Sequence, residues 1–375
     1  MKILAVAHTY YMLLVLAQLK ETVYRDDDMD LIFTDDCTDS VAVFERLREA
    51  RIFRNCYYFE SNQILFSQTH SKVSKFVNLL MLAGAGYHVT RKLRLEQIDF
   101  AYDVFLCYVV GKATEQILFN EVLKSNPHAH CELFEEGYAS YFAPEGVLSV
   151  EKTARLSWSG LLPPIMALFG KNRWLIGRHV SCAWCFDPAL VQYRADFEIR
   201  QIPKFDNENQ SFIRKLNRIF RYEASDLKAG YIFLEDSFYM NNDAYGDLEL
   251  VKKICHSCRE RDEFLVKLHP RTRENRFRPL HIPTNQVNLP LELVALNGTK
   301  GKTFFTVASG APLSCLLCAG MSHKIVMLYK FCPGLPSTVT NPQFRKFAET
   351  MRTRYPEQIF IPESESELDK ILETL

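Results

Sequence analysis

Short apolar runs alternate with amphipathic stretches through the first third of the chain. Lys2–Ala7, one basic residue followed by a short apolar run, predicts a buried strand. Tyr10–Leu19, apolar throughout but for Gln18, predicts a helix. The same reading gives strands at Asp30–Thr34, Cys56–Glu60, Asp103–Val109 and His130–Phe134. Helices are predicted at Val41–Ala50, Val73–Leu82 and Ala113–Lys124. Alternation of this kind predicts a parallel sheet covered on both faces.

The stretch from 138 to 228 is less regular, with prolines, basic and aromatic residues and a turn-rich Pro203–Gln210. It reads as the rest of a first domain plus a crossover. Alternation then resumes, with strands at Tyr231–Glu235, Glu263–Leu268, Thr303–Val307, Lys324–Leu328 and Gln358–Phe360. Helices are predicted at Leu248–Arg259, Leu291–Leu296, Pro312–Ala319, Asn341–Arg352 and Ser366–Leu375. The pattern predicts two α/β domains in series, 1–228 and 229–375, with ligands beyond the carboxyl ends of the strands in a cleft between them.

Composition narrows the function. A chain of 375 residues with 47% hydrophobic and 24% charged residues is long enough for two cores and unlike a disordered one. Lys+Arg and Asp+Glu are equal at 45 each, so no bulk positive field exists to hold a nucleic-acid backbone. The apolar start meets His8 and Thr9 too early for a signal peptide, and 156–176 is broken by Pro163-Pro164, Gly170 and Lys171-Asn172-Arg173. Scattered cysteines, 11 in all, suit reduced thiols and a cytoplasmic setting. Leu161-Leu162 and Ile165–Phe169, followed by Lys171, Arg173 and Trp174, could touch an anionic bilayer at the inner membrane face; the competing reading is a buried helix. Three CxxC spacings occur, but Cys255/Cys258 and Cys315/Cys318 fall in helical patterns, where thiols three apart share a buried face. The turn-rich knuckles of a zinc site are missing, so no metal site is expected.

Three turns carry candidate chemistry. Glu135-Glu136-Gly137 ends a first-domain strand; one carboxylate there could take a proton, and Gly137 permits a sharp turn. Lys267-Leu268-His269-Pro270-Arg271 ends a second-domain strand and clusters groups suited to an anion such as phosphate. Thr306–Pro312 joins a strand to a helix, where Ser309 and free backbone N–H groups could hold phosphate. Glu292, at the start of a short helix, could accept ribose hydroxyls. Each has a plainer alternative: a solvated turn, a strand-ending His-Pro, a helix cap, a dipole-favoured charge. Gly298–Thr303 imitates a phosphate loop, but Leu296 stands where its first Gly belongs and a strand follows it. Asp26-Asp27-Asp28 reads as a solvated charge run.

The order of these motifs resembles the bacterial sialyltransferases, most closely the lipooligosaccharide sialyltransferase family (glycosyltransferase family 52) and its polysialyltransferase relatives. An acid–acid–Gly turn, a later His-Pro turn and a Ser-bearing strand–helix turn carry the likeness. Val6-Ala7-His8-Thr9-Tyr10-Tyr11 and Trp184-Cys185-Phe186-Asp187-Pro188 add to it. The resemblance implies a GT-B fold: two Rossmann-like domains with parallel sheets facing an interdomain cleft, the first on the acceptor side and the second binding CMP. It implies transfer of sialic acid from CMP-sialic acid, with inversion, to a galactoside hydroxyl of a lipooligosaccharide or a capsular or exopolysaccharide.

The likeness carries the base role to Glu135 or Glu136 and assistance of the leaving CMP phosphate to His269. Ser309 binds that phosphate, with Lys267, Pro270, Glu292, Gly310 and Ser314 around the donor and His8 and Thr9 on the acceptor side. Ser309 stands between Ala308 and Gly310 where the family often has two consecutive hydroxyl residues; Thr306 or Ser314 would supply the second. In some members the base is an acid shortly before the His-Pro turn, which makes Asp243 and Asp247 the alternatives.

The chemistry agrees with the likeness. An oxocarbenium-like transfer needs a carboxylate to take the acceptor proton and donors to meet charge growing on the phosphate. CMP has one phosphate, so side-chain cations and N–H groups can replace a metal, and no cofactor is expected. The competing readings are a CMP-Kdo or UDP-sugar transferase, and a non-catalytic carbohydrate-binding relative. Composition fixes neither the acceptor glycan or glycolipid nor an oligomeric state.

Overall fold

The computed structural model describes residues 1–60, 97–109, 113–142, 176–223, 227–236, 246–259, 263–269, 272, 274–286, 288–320, 322–335, 339 and 341–375. They form two compact units, Met1–Pro203 and Lys204–Leu375.

The first unit is built on a seven-stranded parallel sheet in the order β3-β2-β1-β4-β5-β6-β7. Its strands are β1 (Lys2–Ala7), β2 (Asp28–Thr34), β3 (Cys56–Phe59), β4 (Val104–Cys107), β5 (His130–Phe134), β6 (Val180–Cys185) and β7 (Glu198–Gln201). Its helices include α1 (Tyr10–Glu21), α2 (Ser40–Ala50) and α3 (Ala113–Ser125). All four β4 residues are buried, as a parallel strand covered on both faces requires. Phe105 of β4 packs on Phe119 of α3 with centroids 5.5 Å apart, and both are fully buried. Truncating Phe105 to Ala would cost about 3–5 kcal/mol. α1 begins where Thr9 accepts a hydrogen bond from Met12 N–H at 3.2 Å.

The second unit repeats the plan with six parallel strands in the order β10-β9-β8-β11-β12-β13. They are β8 (Tyr231–Leu234), β9 (Phe264–Lys267), β10 (Thr284–Asn285), β11 (Thr303–Thr306), β12 (Lys324–Met327) and β13 (Ile359–Phe360). Its helices include α4 (Gln210–Phe220), α5 (Leu248–Arg259), α6 (Leu291–Leu296), α7 (Ala311–Ala319), α8 (Pro342–Arg354) and α9 (Glu365–Thr374). α7 has Pro312 in its first turn and stops at Gly320, whose φ of 63° favours glycine.

In both sheets the strand order reverses beside the first strand of the unit, between β1 and β4 and between β8 and β11. Loops leave in opposite directions there and open a crevice at the carboxyl edge, the ligand position in open α/β sheets.

Residues 176–223, a described part of the middle stretch, are more regular than their composition predicts. β6 and β7 extend the first sheet, and Asn209 caps α4 by accepting from Phe212 N–H at 3.2 Å. Phe212, Ile213, Leu216, Ile219 and Phe220 form the buried stripe of α4, inside the second unit. The division therefore falls at Pro203/Lys204 rather than at 228/229. Glu235, Leu268 and Val307, expected as strand ends, lie one residue beyond the strands and begin the turns. Cys255/Cys258 lie on α5 and Cys315/Cys318 on α7. Among the described residues no helix is long and apolar enough to cross a membrane. The expected helix at 73–82 and the candidate membrane-contact stretch at 161–174 lie outside the described residues.

Candidate active site

In the first unit, parallel register brings the ends of β1, β4 and β5 to one edge: Ala5 pairs with Leu106, and Cys107 with Leu133. Glu135 is the first residue after β5 and is buried. It accepts hydrogen bonds from the Tyr11 and Tyr141 hydroxyls and, at 2.9 Å, from Phe186 N–H. Burial raises its carboxyl above the usual range, and the three donors oppose that shift. Glu135 is an anchor, holding α1, the 138–141 turn and the end of β6 to β5.

Glu136 is exposed, and its N–H donates to Ser140 Oγ at 3.0 Å. Its charge is felt at Tyr108, just past β4. Gly137 has φ 140°, a conformation open to glycine, so the chain turns away at once and leaves the Glu136 carboxylate outward. The two acids, equivalent in the sequence, are thus separated into one buried strut and one accessible carboxylate.

His8, directly after β1, is buried and lies edge-on to Tyr108 at 5.5 Å. Its Nδ1 is 2.9 Å from Thr34 Oγ1 and 2.7 Å from Asp36 Oδ2, and its Nε2 is 2.6 Å from Glu115 Oε1. Only a ring protonated at both nitrogens can donate to both carboxylates. Both ring nitrogens are engaged and Thr9 is committed to its cap, so neither presents a free group from this position. Asp36 and Glu115 went unnoticed in the sequence because neither belongs to a local motif. Glu115 Oε2 and Thr114 Oγ1 are buried with no hydrogen-bond partner among the described residues.

In the second unit, Leu234 pairs with both Thr306 and Lys267, which aligns the ends of β11, β8 and β9. His269 is half-buried. Its N–H donates to Glu235 Oε2 at 3.1 Å, and its carbonyl accepts Thr272 N–H at 2.8 Å. Glu235 also accepts from Thr272 Oγ1 at 2.6 Å and Arg276 Nε at 2.8 Å. On the other side of β8, Asp236 Oδ2 accepts from Ala308 N–H at 3.2 Å and Thr306 Oγ1 at 3.3 Å. Burial pushes Asp236 up to about 7, and those two donors resist the shift. Glu235-Asp236 escaped the sequence reading because no glycine follows it and no motif marks it.

Ser309 is half-buried on the β11–α7 turn. Its N–H donates to Thr306 Oγ1 at 2.8 Å, and its Oγ accepts weakly from Ala311 N–H at 3.4 Å. The free N–H groups expected here are therefore fewer: those of Ala308, Ser309 and Ala311 are engaged. Gly310 caps α7, and Ser314 Oγ donates to Gly310 O at 3.3 Å. Lys267 ends β9, buried near Glu292; burial pushes its amine down to about 8, against the pull of Glu292. Asp247 is fully buried and takes Arg276 Nη1 and Nη2, each at 2.5 Å, so it is the partner of a fixed cation. Asp243 and Pro270 lie outside the described residues. Among the described residues no group of three or more His, Cys, Asp or Glu side chains is arranged to hold a metal.

No family model and no curated protein matches the chain. Solved structures do resemble it. The glycotransferase of kitacinnamycin superposes with a TM-score of 0.50 at 11% identity, over 96% of this chain and 86% of that one. An α/β-galactoside α-2,3-sialyltransferase from Photobacterium phosphoreum gives 0.48 at 8% identity, over 96% and 98%. MurG from Acinetobacter baumannii gives 0.45 at 9%, over 100% and 90%. With two parallel sheets of Rossmann order in series, the fold is that of the GT-B glycosyltransferases.

Proposed function

We propose that the protein is an inverting glycosyltransferase that takes sialic acid from CMP-sialic acid to a galactoside hydroxyl of a bacterial surface glycan or glycolipid. The observation that carries this reading is the carboxyl edge of the second sheet. His269 and Ser309 flank β8 at the strand-order reversal, where a nucleotide phosphate finds an imidazole on one side and a hydroxyl at a helix start on the other.

In this reading Glu136 takes the proton of the acceptor hydroxyl as that oxygen attacks the anomeric carbon. The bond to CMP breaks on the opposite face, and His269 meets the growing charge on the departing phosphate with an N–H. Ser309 Oγ, the Gly310 N–H and the α7 dipole hold the phosphate. Glu136 is preferred to Glu135 because an exposed carboxylate can reach an acceptor and one with three buried donors cannot. Asp247, tied to Arg276, is not a competing base. Lys267 and Glu292 lie deeper at the same edge and suit the nucleoside. In this reading side-chain and backbone donors serve the phosphate without a metal, so transfer is expected to persist in EDTA.

The reading requires Glu136 and His269 to act on one bound donor, and kinetics test that. Mass spectrometry of products from CMP-sialic acid and a panel of galactosides should show an added sialic acid. Melting with CMP, UDP and GDP should show stabilisation by CMP first. Stabilisation by UDP alone would move the donor to a UDP-sugar, and absence of transfer with every donor would leave a carbohydrate-binding protein.

A further inference from the structure

We infer that Glu235 and Asp236 are the positioning residues of the donor site: Glu235 fixes the turn that carries His269, and Asp236 fixes the turn that carries Ser309. This rests on the function proposed above and assigns residues to it that no sequence motif marks.

The argument is geometric. Successive side chains of an extended chain leave it in opposite directions. Just past β8, the central strand of the unit, they therefore serve different neighbours. Glu235 binds the backbone N–H of His269 itself and the hydroxyl of Thr272, so it closes the turn around the imidazole-bearing residue at both ends. Arg276 joins Glu235 to Asp247 and holds the carboxylate in place from behind. Asp236 binds the N–H of Ala308 and the hydroxyl of Thr306, and that hydroxyl in turn accepts the N–H of Ser309. Both carboxylates are about 5% exposed or less, so these bonds are shielded from water. Two adjacent residues thus set the separation of the two groups on which phosphate departure depends. Displacements near 1 Å at such groups cost about 10²-fold in rate.

The two positions should fail differently. His269 acts as charge develops in the transition state, so E235Q, with one acceptor oxygen for three donors, should lower kcat by about 10- to 100-fold with little change in donor KM. Ser309 binds the phosphate of the ground state as well, so D236A should raise donor KM by about tenfold. D236N keeps an oxygen for both bonds and should recover most of that loss.

Amide hydrogen exchange of the unliganded full chain supplies a readout independent of activity. E235Q should lose protection at 268–272 and D236A at 306–309, each without the rest of its unit following. T272V, which removes one hydroxyl bond only, should loosen 268–272 as well and serves if E235Q does not fold. Uniform loss of protection across the unit, or no local loss with kcat and KM within twofold of wild type, would overturn the assignment. If the wild-type chain transfers nothing, the proposed donor fails; the exchange pattern then decides the positioning alone, local loss supporting it and unchanged turns refuting it.

Discussion

Replacing Asp236 with Asn should make the second unit more stable by about 4 kcal/mol at pH 7.5 and by only about 1 kcal/mol at pH 4.5. The Asp236 carboxyl titrates near 7 in the folded chain, against 3.8 for the ordinary group, because it is buried. Between those values the folded state holds a proton that the unfolded state has released. Stability therefore falls as pH rises through this window, by about 1.4 kcal/mol per pH unit. Across the full window the loss approaches about 4 kcal/mol. In a unit the size of Lys204–Leu375 that corresponds to a Tm change of roughly 8–16 °C. Asn carries no charge to desolvate and keeps an oxygen for Ala308 N–H and Thr306 Oγ1. Lys267, pushed down to about 8, costs a constant amount of stability below that pH and adds no slope within the window. Urea or thermal unfolding of both proteins at pH 4.5, 6 and 7.5 measures the difference directly. Parallel stability profiles for wild type and D236N would refute the reasoning, since the carboxyl would then titrate alike in both states.

Other outcomes follow from the same geometry. E136Q should cost about 10²–10⁴-fold in turnover with stability unchanged, as for loss of a general base. E135A should instead lower stability, by about 1–3 kcal/mol for each buried donor left without an acceptor, as denaturant midpoints will show. R276L should cost about 3–5 kcal/mol, because Glu235 and Asp247 would remain as buried, unpaired carboxylates; urea titration checks it. Transfer assayed with and without EDTA should give equal rates.

Much of the fold was legible because its signals are local. Lys2–Ala7, His130–Phe134, Leu248–Arg259 and Leu291–Leu296 appear in the structure with the bounds that periodicity gives them. β6 and β7 were missed because Val180–Cys185 and Glu198–Gln201 sit among prolines and charges, and tertiary pairing, not propensity, makes them strands.

The site divides in the same way. Motif and strand end pointed to His269, Ser309 and the Glu135-Glu136 pair, but a linear reading could not tell the buried acid from the exposed one. That difference is set by Tyr11, Tyr141 and Phe186, far apart along the chain. Asp36, Glu115, Glu235 and Asp236 were invisible for the same reason: their partners lie on other strands and turns. The sequence offers Asp247 as an alternative base; in the structure Arg276 holds both its oxygens.

Single-turnover transfer from CMP-sialic acid to a galactoside, compared among wild type, H269A, E136Q and the double variant, tests the central claim most directly. The account predicts sialylated product from wild type and a loss of about 10²–10⁴-fold in each single variant. It further predicts a double variant no worse than the product of the two losses, because both groups serve one transfer step. Wild-type rates in H269A, or no sialylated product from the wild-type chain, would contradict it.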